Sequence, residues 1–133
     1  MAFRSAVISG LAWAALGALG ALGALAGLPA AAAELLMVEQ PGCHWCAQWN
    51  EEVGVAYPAS EESRRAPLRR VRLGDLPEDV EFDSRPVFTP TFVLIDEEGQ
   101  ELGRIEGYPG AHFFWPMLNQ LLDAHPEATV PDS

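Results

Sequence analysis

The sequence predicts an α/β domain built on one mixed sheet, with a βα unit joined to a ββα unit. Three observations predict it. A short apolar run, Leu35-Leu36-Met37-Val38, is broken by Gln40-Pro41-Gly42 and followed by a helix-like stretch. A second apolar run, Thr91–Asp96, leads through Glu97-Glu98-Gly99-Gln100 into another strand-like segment. The chain then closes on Phe114, Met117, Leu118, Leu121 and Leu122, at the i, i+3, i+4, i+7, i+8 spacing of one helix face.

The elements follow in order. Residues 1–33 read as a secretory signal peptide: Arg4 is the only charge before Glu34, an Ala/Leu/Gly stretch follows, and Leu28-Pro29-Ala30-Ala31-Ala32-Ala33 ends it in small residues. Cleavage is expected after Ala33, and an uncleaved membrane anchor is the alternative, since the stretch is long enough to span a bilayer. The domain is expected over 34–125. Leu35–Glu39 reads as a buried strand. A helix is expected from about Cys43 to Val53, where Gly54 loosens it. Ser60 before Glu61 and Glu62 caps a short helix ending before Pro67. Leu68–Leu73 has the length of a strand, with imperfect alternation. Gly74–Pro86 is an acidic, Pro-punctuated loop with one helical turn expected after Asp75. Thr91–Asp96 reads as a fully buried strand, Glu97–Gln100 as a hairpin turn, and Glu101–Glu106 as its return, with Leu102 and either Arg104 or Ile105 alternating faces. The last helix is expected over 114–124, and 126–133 as a disordered tail.

Charge narrows the function classes. Setting Arg4 aside from the 8 basic residues leaves 7 arginines against 19 acidic residues, a net charge of −12, and there is no lysine. Such a chain lacks the basic footprint that nucleic-acid binding needs. Five of the seven arginines fall in Arg64–Arg72. They read as a solvated face offset by Glu61, Glu62 and the acidic loop, with an acidic docking partner as the alternative.

The chemistry concentrates in Cys43-His44-Trp45-Cys46, which holds the only 2 cysteines. A bridge between positions three apart closes a very small loop, so as a structural staple it constrains the unfolded chain little. As a reversible redox couple the spacing is apt. At a helix start, unsatisfied N–H groups favour a thiolate, which is the nucleophile in disulfide exchange. Cys43 is therefore expected to be the exposed attacking sulfur and Cys46, one turn inside, the buried resolving thiol. His44 can place a positive charge beside Cys43. Trp45 offers an apolar surface to a partner chain. Thr89-Pro90 precedes the buried strand; a cis bond there would leave Thr89 main-chain groups free to pair with an extended substrate. Glu39 is the carboxylate nearest the motif and a candidate for proton transfer. Two thiolates and His44 fall short of the four ligands of a closed metal site, so no metal and no cofactor are expected.

Taken together, the Leu35–Val38 strand, Gly42-Cys43-His44-Trp45-Cys46, Phe88-Thr89-Pro90-Thr91-Phe92, the Glu98-Gly99 turn and Gly107 resemble the thioredoxin-like family over nearly all of 34–124. The stretch Val38-Glu39-Gln40-Pro41-Gly42-Cys43-His44-Trp45-Cys46-Ala47-Gln48-Trp49 is most similar to the small exported thioredoxins encoded with bacterial sulfur-oxidation systems. The resemblance implies a minimal thioredoxin fold, βαβ plus ββα, with a mixed four-stranded sheet flanked by helices. It implies a periplasmic, monomeric thiol–disulfide oxidoreductase that reduces a disulfide in a partner protein and is re-reduced by a membrane thiol transporter. It carries over Cys43 as attacking thiol, Cys46 as resolving thiol and Pro90 as the cis-proline. The chain departs from cytoplasmic thioredoxins in having His-Trp between the cysteines, Gly42 before them and Met37 in place of a buried acid. Histidine there is more usual in oxidases and isomerases, which remain the alternative within the class. A copper- or metal-binding module using Cys43, Cys46 and His44, and an interaction domain with a fixed bridge, are the alternatives outside it.

Overall fold

The computed structural model describes residues 33–129. Four strands form one mixed sheet: β1 (Ala33–Glu39), β2 (Leu68–Arg72), β3 (Thr91–Asp96) and β4 (Glu101–Glu106), in the order β2-β1-β3-β4. β1 runs parallel to β2 and antiparallel to β3, and β3 is antiparallel to β4. A parallel pair needs a crossover. Here it consists of helix α1 (His44–Trp49), a π-helical turn over Asn50–Gly54, a 3-10 turn over Tyr57–Ala59 and helix α2 (Glu61–Arg65). Helix α3 (Ala111–Asp123) follows β4.

β1 and β3 are apolar almost throughout because both of their faces are covered. Leu35, Met37, Phe92 and Leu94 share a core with Trp49, Val53, Tyr57, Phe114, Leu118 and Leu122, so the helices lie on one face. Leu36, Val38, Val71, Val93 and Ile95 face the other side, against Leu73, Leu76, Val80 and Phe82. The loop after β2 thus does the work of a covering helix. The helical turn expected after Asp75 is absent for that reason: Asp75 bridges back to Arg72, and Glu81 extends to pair with Gln100 while its neighbours Val80 and Phe82 point at the sheet.

Gly99 depends on this loop. It has φ +82, and a Cβ added there would lie 2.1 Å from the carbonyl oxygen of Asp79. Glu81 N–H also donates to the Gly99 carbonyl at 2.8 Å. Gly99→Ala is expected to lower the unfolding free energy by about 2–4 kcal/mol, combining left-handed strain with a main-chain clash. The check is a urea midpoint that falls at unchanged slope. A shift of less than about 0.5 kcal/mol would mean the loop yields freely.

A bulge resolves the ambiguity in β4. The register steps from Leu94 opposite Gly103 to Ile95 opposite Glu101, leaving Leu102 extra. Leu102 and Ile105 therefore both reach the helix-side core although they are three residues apart. Arg104 instead holds Glu101, with Nε to Oε1 at 2.6 Å.

Ser60 caps α2, its hydroxyl oxygen accepting from Ser63 N–H at 3.0 Å, with Glu61 and Glu62 in the first turn and Arg64 and Arg65 in the last. Arg64 pairs with Glu61, Arg65 with Asp123, Arg69 with Asp79 and Arg70 with Glu39. The arginine-rich stretch is thus largely matched within the chain.

Both ends of the described residues are packed. Ala33, the last residue of the expected signal segment, is already buried in β1 opposite Asp96; the rest of that segment lies outside the described residues. The chain also stays packed beyond His125. Thr129 is buried, and its hydroxyl lies 2.9 Å from the His125 carbonyl and 3.0 Å from that of Leu122, while Arg65 Nε donates to its carbonyl. No helix among the described residues is long and apolar enough to cross a membrane.

Candidate active site

Cys43 ends the tight turn after β1 and is the N-cap of α1, with φ −73 and ψ 105. The turn is possible because Gly42 takes φ +76, and Cys43 N–H donates to the Gln40 carbonyl at 3.3 Å. Cys43 and Cys46 are joined by a disulfide, with their Cα atoms 5.2 Å apart. Cys43 Sγ accepts from Cys46 N–H at 3.1 Å, so a first-turn amide that has no helical partner points at this sulfur. The two cysteines differ in access: Cys43 is partly exposed, whereas Cys46 is 5% exposed and belongs to the core.

A cleft of about 460 Å³ opens beside the disulfide, lined by Glu39, Gln40, Cys43, His44, Cys46 and Asn50 among others. Its charged group is held from below. Arg70 donates to Glu39 Oε2 at 2.7 Å and to Asn50 Oδ1 at 2.7 Å, lies 3.6 Å from Met37 Sδ, and sits 5.8 Å from the centre of a Trp49 ring. Met37, standing where a buried acid was a point of comparison, thus meets the guanidinium through sulfur. His44 is exposed and stands edge-on to Trp45, at 5.2 Å between ring centres. Trp45 is 52% exposed, and Val87 and Phe88 are exposed as well.

The Thr89–Pro90 peptide bond is cis. Pro90 is buried, and its carbonyl accepts from Gly107 N–H at 2.8 Å. Thr91 Oγ1 donates to the Phe88 carbonyl at 2.7 Å. The Thr89 side chain meets Gln40, whose Nε2 donates to Thr89 Oγ1 at 2.9 Å. On the far side of α1, Tyr108 donates to Glu52, and together with Gln48 it holds the Glu52 carboxyl below its ordinary range.

The cleft therefore brings together Cys43, Cys46, His44 and Glu39, and Gln40 connects Thr89 to its rim. Trp45 does not line it. Sequence reasoning missed Gln40, Asn50 and Arg70. None of the three carried a signal in the sequence, because each meets its partner only through the assembled sheet and loops. Among the described residues, no three His, Cys, Asp or Glu side chains converge as metal ligands would.

No family model and no curated protein matches the chain. The reduced periplasmic thioredoxin SoxS from Paracoccus pantotrophus does match: it is 49% identical, with a TM-score of 0.66 over 68% of this chain and 96% of its own. The chain belongs to the thioredoxin-like family. A thio-disulfide isomerase from Thermus thermophilus stands much further off, at 17% identity and a TM-score of 0.44 over 75% of this chain and 80% of its own. As a thioredoxin-like protein the chain is a thiol–disulfide oxidoreductase. The minimal form of the fold, mixed sheet and flanking helices, is the one the sequence predicts.

Proposed function

We propose that this thioredoxin-like protein works in the periplasm as a reductant of disulfides in partner proteins, with Cys43 attacking and Cys46 resolving. The observation that carries the roles is the asymmetry of the pair: Cys43 is partly exposed and accepts a helix-start amide, and Cys46 is buried. In the reduced protein the Cys43 thiolate attacks one sulfur of the partner disulfide. A mixed disulfide forms, and the partner's other sulfur leaves as a thiolate, which takes up a proton. Cys46 then loses its proton and attacks Cys43 Sγ, which forms the Cys43–Cys46 bridge and frees the second partner thiol. Two electrons pass to the partner. Glu39 shares the cleft with Cys46 and is the acceptor for its proton, held in place by Arg70. Trp45, Val87 and Phe88 give the partner an apolar footing, and the main chain of Thr89 pairs with its extended segment. A membrane thiol transporter supplies the electrons that restore the dithiol. The likeness to the periplasmic thioredoxin SoxS favours a sulfur-oxidation setting.

The test is the reduction potential of the Cys43–Cys46 couple, measured by equilibration with glutathione. A reductant is expected to lie toward the thioredoxin value of about −270 mV. A value near about −120 mV would make the protein an oxidant and overturn the direction of electron flow.

A further inference from the structure

One contact at the rim of the cleft plays no part in the thiol chemistry. Gln40 Nε2 donates to Thr89 Oγ1 across 49 positions of sequence. Among the described residues it is the only hydrogen bond that ties the turn over 40–46 to the loop over 86–90. Each end is anchored separately. The Gln40 carbonyl accepts from Cys43 N–H, so the residue moves with the attacking sulfur. On the other side Phe88 is held by Thr91 and Pro90 by Gly107, while Thr89 between them is held through its side chain alone. Its main-chain N–H and C=O have no partner within the chain among the described residues.

We propose that Gln40 is a positioning residue: it sets the spacing between Cys43 and the main chain of Thr89 and so favours extended protein disulfides over small ones. This rests on the reading that a partner segment pairs with Thr89. An extended chain must satisfy two points at once, its sulfur at Cys43 and its main chain at Thr89. A small disulfide touches only the first. Loosening the distance between the two points therefore penalises the first class of substrate and spares the second.

The experiment compares the protein with its Gln40→Ala, Gln40→Glu and Thr89→Val variants on two substrates, insulin and oxidised glutathione. Gln40→Ala is expected to lower kcat/KM for insulin by about 2- to 10-fold, the range for loss of one neutral hydrogen bond. The fall should come through KM, with the glutathione rate and the reduction potential unchanged. Gln40→Glu should restore most of it, because the Thr89 hydroxyl can donate to a carboxylate. Thr89→Val should lower kcat/KM for insulin as much as Gln40→Ala does, and on insulin the double variant should cost no more than either alone. An equal fall on glutathione, an unchanged insulin rate, or additive losses would each overturn the proposal. Should the unaltered protein reduce glutathione and not insulin, the protein-reductant reading fails by itself. Amide relaxation at Thr89 then judges Gln40: faster motion in Gln40→Ala supports it, and no change overturns it.

Discussion

Replacing Cys46 with serine is expected to leave the protein covalently joined to its partner. The mixed disulfide through Cys43 still forms, because Cys43 is the accessible sulfur and keeps its helix-start amide environment. Release then lacks the internal thiol. The second attack becomes bimolecular, and holding two groups in place ordinarily gives effective concentrations of about 10⁵ M or more. Turnover is therefore expected to fall by at least about a thousandfold. The adduct is read on a non-reducing gel and by mass spectrometry after capture from cells, and it should dissolve in dithiothreitol. Cys43→Ser supplies the contrast. It leaves only Cys46, 5% exposed and packed in the core, and should yield no adduct. An adduct from Cys43→Ser alone would exchange the two roles. No adduct from either would remove the covalent mechanism.

Trp49→Ala is expected to cost about 3–5 kcal/mol, the usual range for truncating a buried aromatic. That is a large part of the roughly 5–15 kcal/mol that holds a domain folded. Trp49 is fully buried, and its ring centre lies 6.1 Å from Tyr57, 5.2 Å from Phe92 and 5.8 Å from Phe114. It thus joins α1, the 3-10 turn, β3 and α3 in one cluster. Its Nε1 is buried without a hydrogen-bond partner. Trp49→Phe retains most of the ring contacts and removes that orphaned donor, so it should cost less than about 2 kcal/mol. Urea unfolding of the two variants separates these effects. A loss under about 1 kcal/mol for Trp49→Ala would show that the cluster does not anchor the core.

Much of the fold was legible because local signals agreed with it. Leu35–Val38 and Thr91–Ile95 are apolar runs too short for helices, and both lie where two faces are buried. Ser60, Gly42 and Gly99 stand where a cap or a turn needs them. What escaped depends on contacts distant in sequence. The loop over 73–82 looks polar, and its value lies in Leu76, Val80 and Phe82, whose target is the far side of a sheet assembled from elsewhere. The bulge at Leu102 shifts the alternation that a strand pattern assumes, so neither Arg104 nor Ile105 could be assigned a face from β4 alone. At the site, the cysteines were legible from their spacing. The Gln40–Thr89 and Arg70–Glu39 contacts, 49 and 31 positions apart, were not, because no periodicity links residues that meet only through the sheet.

The place of β1 has a consequence for how the molecule comes into being. It is the first strand described, yet it lies inside the sheet, with Leu35–Val38 fully enclosed and both edges paired. One neighbour, β2, comes some thirty positions later in the register and the other, β3, more than fifty. A chain emerging amino end first can pair only one edge of β1, with Leu68–Arg72, until Thr91–Asp96 have followed. Sheets dominated by such distant pairings nucleate late, since loop closure is costly before any contact repays it. The central strand therefore gains its second neighbour only when most of the domain is available, which favours late closure of the sheet.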